Sequence, residues 1–337
     1  MSTATDVRPE APEAVRAPQL RRWARRLAIA LAALWAVVTL LSFGFNAVTA
    51  GTAEPPPGQT YVQAGDVKTR YRSWGTTGSP IVLVHGSFES ADTWARLAPH
   101  LARGHRVYAF DLTGSGYSTR KGPYTTGHMA EQTLGFLDAM KLGGPGQRPV
   151  LVAHSSGAAV AAEAALRAPD RVGGLMMLDG DALDTGPGAE GPPPGLLVNP
   201  YRTSLLRIAR GSDWLIRSAY NSQCGPTCPR LDAAGVREWR RPYEVKGAEK
   251  GLWDAYGDGS PGLAASRVAM LRATGIPASV VFGAEDDVFT KTAPAETAAR
   301  IGAPAPTLIP GSRHLPMISN PAAVAQATEA LATRARR

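Results

Sequence analysis

Val150-Leu151-Val152-Ala153 carries no polar side chain on either alternating face, so as a strand it has to be covered on both sides. Behind it come His154, Ser155 and Ser156, and the small-residue, alanine-rich segment that begins at Gly157 has the composition of a helix. Ser155 therefore falls on the turn between strand and helix, with the small residues Ala153 and Gly157 two positions away on either side. A sharp strand-to-helix turn leaves no room for larger side chains at those two places, and it holds the serine hydroxyl clear of the sheet edge.

The same rhythm recurs along the chain. Short apolar runs at Ile81–Val84, Arg106–Phe110, Gly173–Leu178, Ser279–Phe282 and Pro306–Ile309 read as strands. Helical stretches separate them at about Ala91–Leu101, His128–Met140 and Pro294–Arg300, and a last helix runs to about Thr333 with Asn320 as N-cap and Pro321 in its first turn. Tyr61–Ala64 and Val67–Trp74 flank Gly65-Asp66, a hairpin signal. Strands alternating with helices predict an α/β fold with a mostly parallel central sheet and helices on both faces. From about Ala182 to Arg272 the alternation stops. Glycine and proline dominate Gly186 to Gly195, and helical segments follow around Thr203–Tyr220 and Leu231–Arg240, which reads as a helical cap insertion. The expected organisation is a cytoplasmic basic tail (1–26), a transmembrane anchor (27–50), a Pro-rich linker (51–58), a core in two parts (59–181 and 273–337) and the cap (182–272) between them.

Leu27 to Phe45 contains no charge and is preceded by Arg21, Arg22, Arg25 and Arg26. As a helix rising ~1.5 Å per residue it reaches ~28 Å, close to the hydrocarbon thickness of a bilayer. The arginines predict a single-pass membrane protein with a cytoplasmic N-terminus and an extracytoplasmic main domain. A cleaved signal peptide is the competing reading, because Val48-Thr49-Ala50 offers small residues at a cleavage position. Of the net charge of +8, the first 26 residues contribute +3 (six Arg against Asp6, Glu10 and Glu13), and Arg334, Arg336 and Arg337 contribute three more. With most of the excess in the tails, no nucleic-acid-binding face is expected.

A serine hydroxyl needs a base to take its proton and a third group to fix that base. Of the six histidines, only His314 follows the last strand, in Gly311-Ser312-Arg313-His314-Leu315-Pro316, a loop able to return over the sheet edge. Glu285-Asp286-Asp287 follows the preceding strand and offers the acid, with Asp286 best placed and Asp179 and Asp181 as the fallback. The Asp111 to Ser118 loop holds only a lone GxG and no dinucleotide fingerprint. Cys224 and Cys228 are the only cysteines, and in an exported domain they suggest a small local disulfide, a free pair being the alternative.

His85-Gly86-Ser87, the Asp111 to Ser118 loop, Ala153 to Gly157, Gly283 to Asp286 and the Gly311 to Pro316 loop, in this order and at these intervals, resemble the lid-bearing α/β-hydrolases over about Tyr61 to Leu331. The resemblance implies a serine hydrolase in which Ser155 attacks, His314 shuttles the proton and Asp286 orients it. It also implies that the backbone N–H groups of Ser87 and Ser156 bind the oxyanion. The helical insertion becomes a cap over the pocket, with Arg202, Trp214, Tyr220, Trp239 and Tyr243 as candidates for lining it. Neither cofactor nor metal is expected, and the partner is a small-molecule acyl substrate. Ester hydrolysis is the leading chemistry, with C–C bond hydrolysis or cofactor-free perhydrolysis on the same triad as alternatives. A lipid acyltransferase and a ligand-binding protein without turnover are the remaining readings.

Overall fold

A computed structural model of the chain describes residues 16–184 and 198–336. The tail before residue 16 and the stretch Gly186 to Gly195 lie outside the described residues. The chain divides into two compact units, one of Met1–Ala50 with Val198–Leu205 and one of Gly51–Leu197 with Leu206–Arg337.

In the first unit a single helix, α1 (Arg16–Val48), contains a stretch, Gln19–Val48, with an 18-residue window of mean hydropathy 2.3, long and apolar enough to cross a membrane. Its large apolar side chains, such as Leu27, Leu34, Trp35 and Leu41, are exposed. Thr39, Ser42 and Asn46, spaced by three and four residues, share one face. That face meets residues 198–205. The Thr39 and Tyr201 hydroxyls lie 2.5 Å apart, Asn46 Nδ2 donates to the Pro200 carbonyl at 2.9 Å, and Ser204 Oγ donates to Asn46 Oδ1 at 3.0 Å.

The second unit is built on an eight-stranded sheet: β1 (Thr60–Ala64), β2 (Val67–Trp74), β3 (Pro80–Val84), β4 (Arg106–Phe110), β5 (Val150–His154), β6 (Gly174–Leu178), β7 (Ala278–Gly283) and β8 (Thr307–Ile309). Their spatial order is β1-β2-β4-β3-β5-β6-β7-β8. β2 is antiparallel to both of its neighbours, to β1 through the predicted hairpin and to β4, and every other pairing is parallel. The register aligns Leu83 with Val152 and Leu151 with Leu175, so side chains of one parity share a face. One face carries Val82, Val84, Leu151, Ala153, Leu175, Met177 and Phe282, beneath α3 (Thr126–Ala139) and α4 (Gly157–Arg167). The opposite face carries Ile81, Leu83, Val150, Val152, Met176 and Leu178. Both parities being apolar is the sequence signature of a strand covered on both sides, and β3, β5 and β6 are buried at every position.

Several boundaries differ from expectation. The helix expected over 91–101 is a 3-10 turn at Ala91–Ala95 followed by the short α2 (Ala98–Leu101), whose first turn carries Pro99. Proline lacks the N–H that a continuous helix needs there. The stretch around Thr203–Tyr220 is two helices, α5 (Tyr201–Gly211) and α6 (Asp213–Cys224), interrupted where the Ser212 hydroxyl accepts from Leu215 N–H and caps the second. They are followed by α7 (Ala233–Arg240) and α8 (Ala248–Asp258), and α9 (Ala265–Ala269) and α10 (Ala293–Ile301) flank β7. The chain ends with α11 (Pro316–Ser319) and α12 (Pro321–Ala335). Asn320 sits at the N-cap position of α12 but its side chain does not cap; it donates instead to the Pro310 carbonyl and to Ser312 Oγ. Cys224 and Cys228 are joined by a disulfide.

Candidate active site

Ser155 stands between β5 and α4 with φ of +50°, in the left-handed region that a non-glycine residue rarely adopts. Close packing holds it there. A Cβ at Gly157 would lie 2.4 Å from the His85 carbonyl oxygen, which is why the position after Ser156 has to be glycine. Ser155 N–H donates to the Leu178 carbonyl at 3.0 Å, tying the turn to the end of β6.

His314 and Asp286 converge on this turn. His314 Nε2 is 3.1 Å from Ser155 Oγ, and its Nδ1 is 3.0 Å from Asp286 Oδ2. Asp286 also accepts from Val288 N–H at 2.8 Å through Oδ1. Among the three consecutive carboxylates only Asp286 is buried, whereas Glu285 and Asp287 are exposed. Burial acts to raise the Asp286 pKa, but the hydrogen bond and charge of His314, with help from Asp179 and Val288 N–H, outweigh it and hold the carboxyl below its usual value. Of the fallback acids, Asp179 lies directly behind this pair, whereas Asp181 accepts from Leu183 N–H in a local turn.

Ser87, after β3, and Ser156, after the nucleophile position, meet through their hydroxyls at 2.9 Å. Outside the helices and strands, neither N–H donates to a backbone acceptor among the described residues. The Ser87 loop is strained at Phe88, with φ of +61°, and the Tyr243 hydroxyl donates to the Phe88 carbonyl at 2.9 Å. His85, which the sequence offers only as part of the His85-Gly86-Ser87 motif, bonds to this loop and to the one after β4. His85 donates from Nδ1 to the Gly86 carbonyl at 2.8 Å, and its Nε2 accepts from Leu112 N–H at 3.0 Å, an arrangement that specifies the neutral tautomer.

A second histidine–carboxylate pair sits under the first. His154 is fully buried, with Nδ1 2.7 Å from Glu89 Oε1 and Nε2 donating to the His314 carbonyl at 2.7 Å. Both ring nitrogens face acceptors, which suits the imidazolium. Burial works against that charge, but Glu89 and the His314 carbonyl outweigh it and raise the His154 pKa, while His154 in turn brings Glu89 below its ordinary value against the same burial penalty. Glu89 carried no sequence signal, because nothing in its spacing points to a residue 65 positions later.

Over Ser155 and His314 lies a cavity of about 570 Å³, walled by Leu206, Leu215, Ile216, Tyr220, Trp239 and Leu252 among others. Of the five side chains expected to line it, Tyr220, Trp239 and Tyr243 do so. Trp214 does not: it is 72% exposed and points to solvent from α6. Arg202 is not in the wall either, its guanidinium donating to Asn199 Oδ1. Two arginines do contribute to the wall, Arg210 beside Glu249 and Arg240 beside Asp213.

The model of the alpha/beta hydrolase family matches residues 81–327. A 2-hydroxymuconate semialdehyde hydrolase of Pseudomonas sp. (strain CF600) is 32% identical over 129 residues, 37% of this chain and 44% of that protein. A probable esterase of Oryza sativa subsp. indica is 36% identical over 102 residues, 30% and 38% of the two chains. The matches thus span less than half the length of these curated relatives. Among solved structures, a bacterial membrane phospholipase A superposes with a TM-score of 0.66 at 21% identity, covering 95% of this chain and 99% of that one. An esterase from Thermogutta terrifontis gives 0.65 at 22% identity over 83% and 99%. Sheet order, the strained serine turn and a family match over most of the chain lead to one conclusion: this protein is a member of the α/β-hydrolase family.

Proposed function

We propose that the protein is a serine hydrolase that cleaves carboxylic esters of small or medium acyl groups through an acyl-enzyme. The observation that carries this reading is the unbroken line from Asp286 through His314 to Ser155, at 3.0 and 3.1 Å. His314 Nε2 takes the Ser155 Oγ proton as the oxygen attacks the ester carbonyl, and Asp286 keeps the imidazole in the tautomer that has Nε2 unprotonated. The tetrahedral oxyanion rests on the N–H groups of Ser87 and Ser156, donors that act only as the charge develops; losing one such donor costs about 3 to 4 kcal/mol of transition-state stabilisation. The alcohol leaves with the proton from His314, and water, activated by the same nitrogen, releases the acid. The chain's own side chains complete this cycle with no cofactor.

The helices between β6 and β7 form the cap, within 182–272, over a core of 59–181 and 273–337. The mostly apolar wall of the cavity suits an uncharged acyl chain, and its arginines Arg210 and Arg240 are already beside carboxylates. C–C bond hydrolysis is the second reading, favoured by the similarity to the 2-hydroxymuconate semialdehyde hydrolase. The N-terminal helix, led by its arginine cluster, serves as an uncleaved anchor that places the catalytic unit outside the cytoplasm. A fluorophosphonate probe tests the chemistry: it should label Ser155 in the wild type and fail with Ser155→Ala and His314→Ala. A folded wild-type protein that takes no label overturns the enzyme reading in favour of a ligand-binding protein. Resistance to alkaline carbonate extraction tests the anchor, and a soluble product beginning at Gly51 refutes it.

A further inference from the structure

Asp179, at the end of β6, has no part in the cycle above, yet it is fully buried and strained. Its φ is +44°, so two neighbouring strands, β5 and β6, both end in a left-handed non-glycine residue beside the site. Its Oδ1 accepts from Gly283 N–H at 2.7 Å, which leaves Oδ2 without a donor among the described residues. One carboxyl oxygen each of Asp179 and Asp286 and one ring nitrogen of His314 lie within 4.8 Å of one another. Asp286 accepts from Val288 N–H through Oδ1 and pairs with His314 Nδ1 through Oδ2.

Two carboxylates this close in a dry site repel each other, and the ordinary resolution is that one of them keeps a proton and donates it to the other. The local bonds decide which. Asp286 has the histidine and a backbone donor, whereas Asp179 has one backbone donor and an empty oxygen. Burial, then the charge of Asp286, push the Asp179 carboxyl well above its ordinary pKa, with Glu89 adding to the repulsion. His154 offsets Glu89 from the opposite side, and Lys291 Nζ is engaged by the backbone carbonyl of Asp286 at 3.1 Å.

We propose that Asp179 is a neutral positioning residue that holds the single proton of the acid pair and donates it to Asp286, so that one negative charge fixed between two carboxyls backs His314. The role rests on the reading of Asp286 and His314 as catalytic partners, but the protonation state does not, and the experiment separates the two.

Asn has the shape of protonated aspartic acid and the same donor and acceptor, so Asp179→Asn should keep kcat/KM on a p-nitrophenyl ester within about threefold and leave the acid limb of its pH profile unmoved. Asp179→Ala, which removes the donor, should lose at least about tenfold and shift that limb. Difference infrared spectroscopy of wild type against Asp179→Asn at neutral pH should show the C=O stretch of a protonated carboxyl lost in the variant. An Asn variant whose acid limb moves, or whose activity falls as far as that of the Ala variant, overturns the proposal. So does an infrared difference without a protonated carboxyl, and this reading needs no turnover: if the wild type takes no fluorophosphonate label, the serine hydrolase reading fails while the infrared result still decides whether Asp179 is neutral.

Discussion

His314 with Asp286 and His154 with Glu89 are each an imidazole against a carboxylate, and their rings lie 4.7 Å apart, yet their second nitrogens meet different groups. In each, a buried carboxylate takes one ring nitrogen. The difference is what the other nitrogen meets. In the upper pair it meets the Ser155 hydroxyl, which can give up a proton; in the lower pair it meets the His314 carbonyl, which can only accept one. An imidazole between a carboxylate and a hydroxyl can cycle, whereas one between a carboxylate and a carbonyl is held as a cation and acts as a structural clamp. The lower pair connects the Ser87 loop, through Glu89, to the backbone of His314.

Breaking the upper pair should abolish activity and spare the fold. Ser155→Ala and His314→Ala should each lower kcat by about 10⁵- to 10⁶-fold in a p-nitrophenyl ester assay, with little change in the urea midpoint. Asp286→Asn should lose about 10⁴-fold, since a neutral amide favours the wrong tautomer of the ring. Breaking the lower pair should do the reverse. Glu89→Gln leaves a buried imidazolium uncompensated and should destabilise the second unit by about 3 to 5 kcal/mol, read from urea unfolding. An unchanged midpoint would mean that the pair is not charged.

The pH dependence sharpens the same contrast. Glu89 is held below the ordinary glutamate value near 4.3, so its contribution is complete above that pH and fades as the pH falls through the folded value. His154 is raised above about 6.5, so its contribution is complete below that pH and fades as the pH rises through the folded value. The stability gap between wild type and the Glu89→Gln, His154→Gln double variant should therefore be widest from about pH 4.5 to 6.5 and narrow on either side. The smallest effect is expected at the loop that joins the pairs: Tyr243→Phe removes one hydrogen bond to Phe88 and should lower kcat/KM by about fivefold, with the urea midpoint nearly unmoved.

The upper pair could be read from the chain, and the lower could not. Ser155 announces itself through the small residues that a tight turn requires, and His314 and Asp286 through their positions after strands whose apolar pattern is plain. Glu285, Asp286 and Asp287 share the place after β7, and the burial of Asp286 alone among them is a property of the folded loop that their sequence does not carry. Glu89, by contrast, is a single acid in a loop, and nothing in the sequence around His154 marks it as that acid's partner. Their meeting depends on β3 and β5 lying side by side, which is a property of the sheet order and not of local sequence. Asp179 stood in reserve as an alternative acid, and only the third dimension puts it behind Asp286. Similarly, Trp214 was assigned to the pocket on residue type alone, because a helix's orientation over the sheet is not written in its periodicity when its aromatic faces solvent.

The stripe of Thr39, Ser42 and Asn46 on the long apolar helix bears on how the protein should be handled. Trimming the chain at Gly51 to obtain a detergent-free sample is not a neutral edit, because it strips Pro200, Tyr201 and Ser204 of the groups they bond to. A shortened preparation would therefore start α5 from a first turn whose polar groups turn to water instead of to the helix.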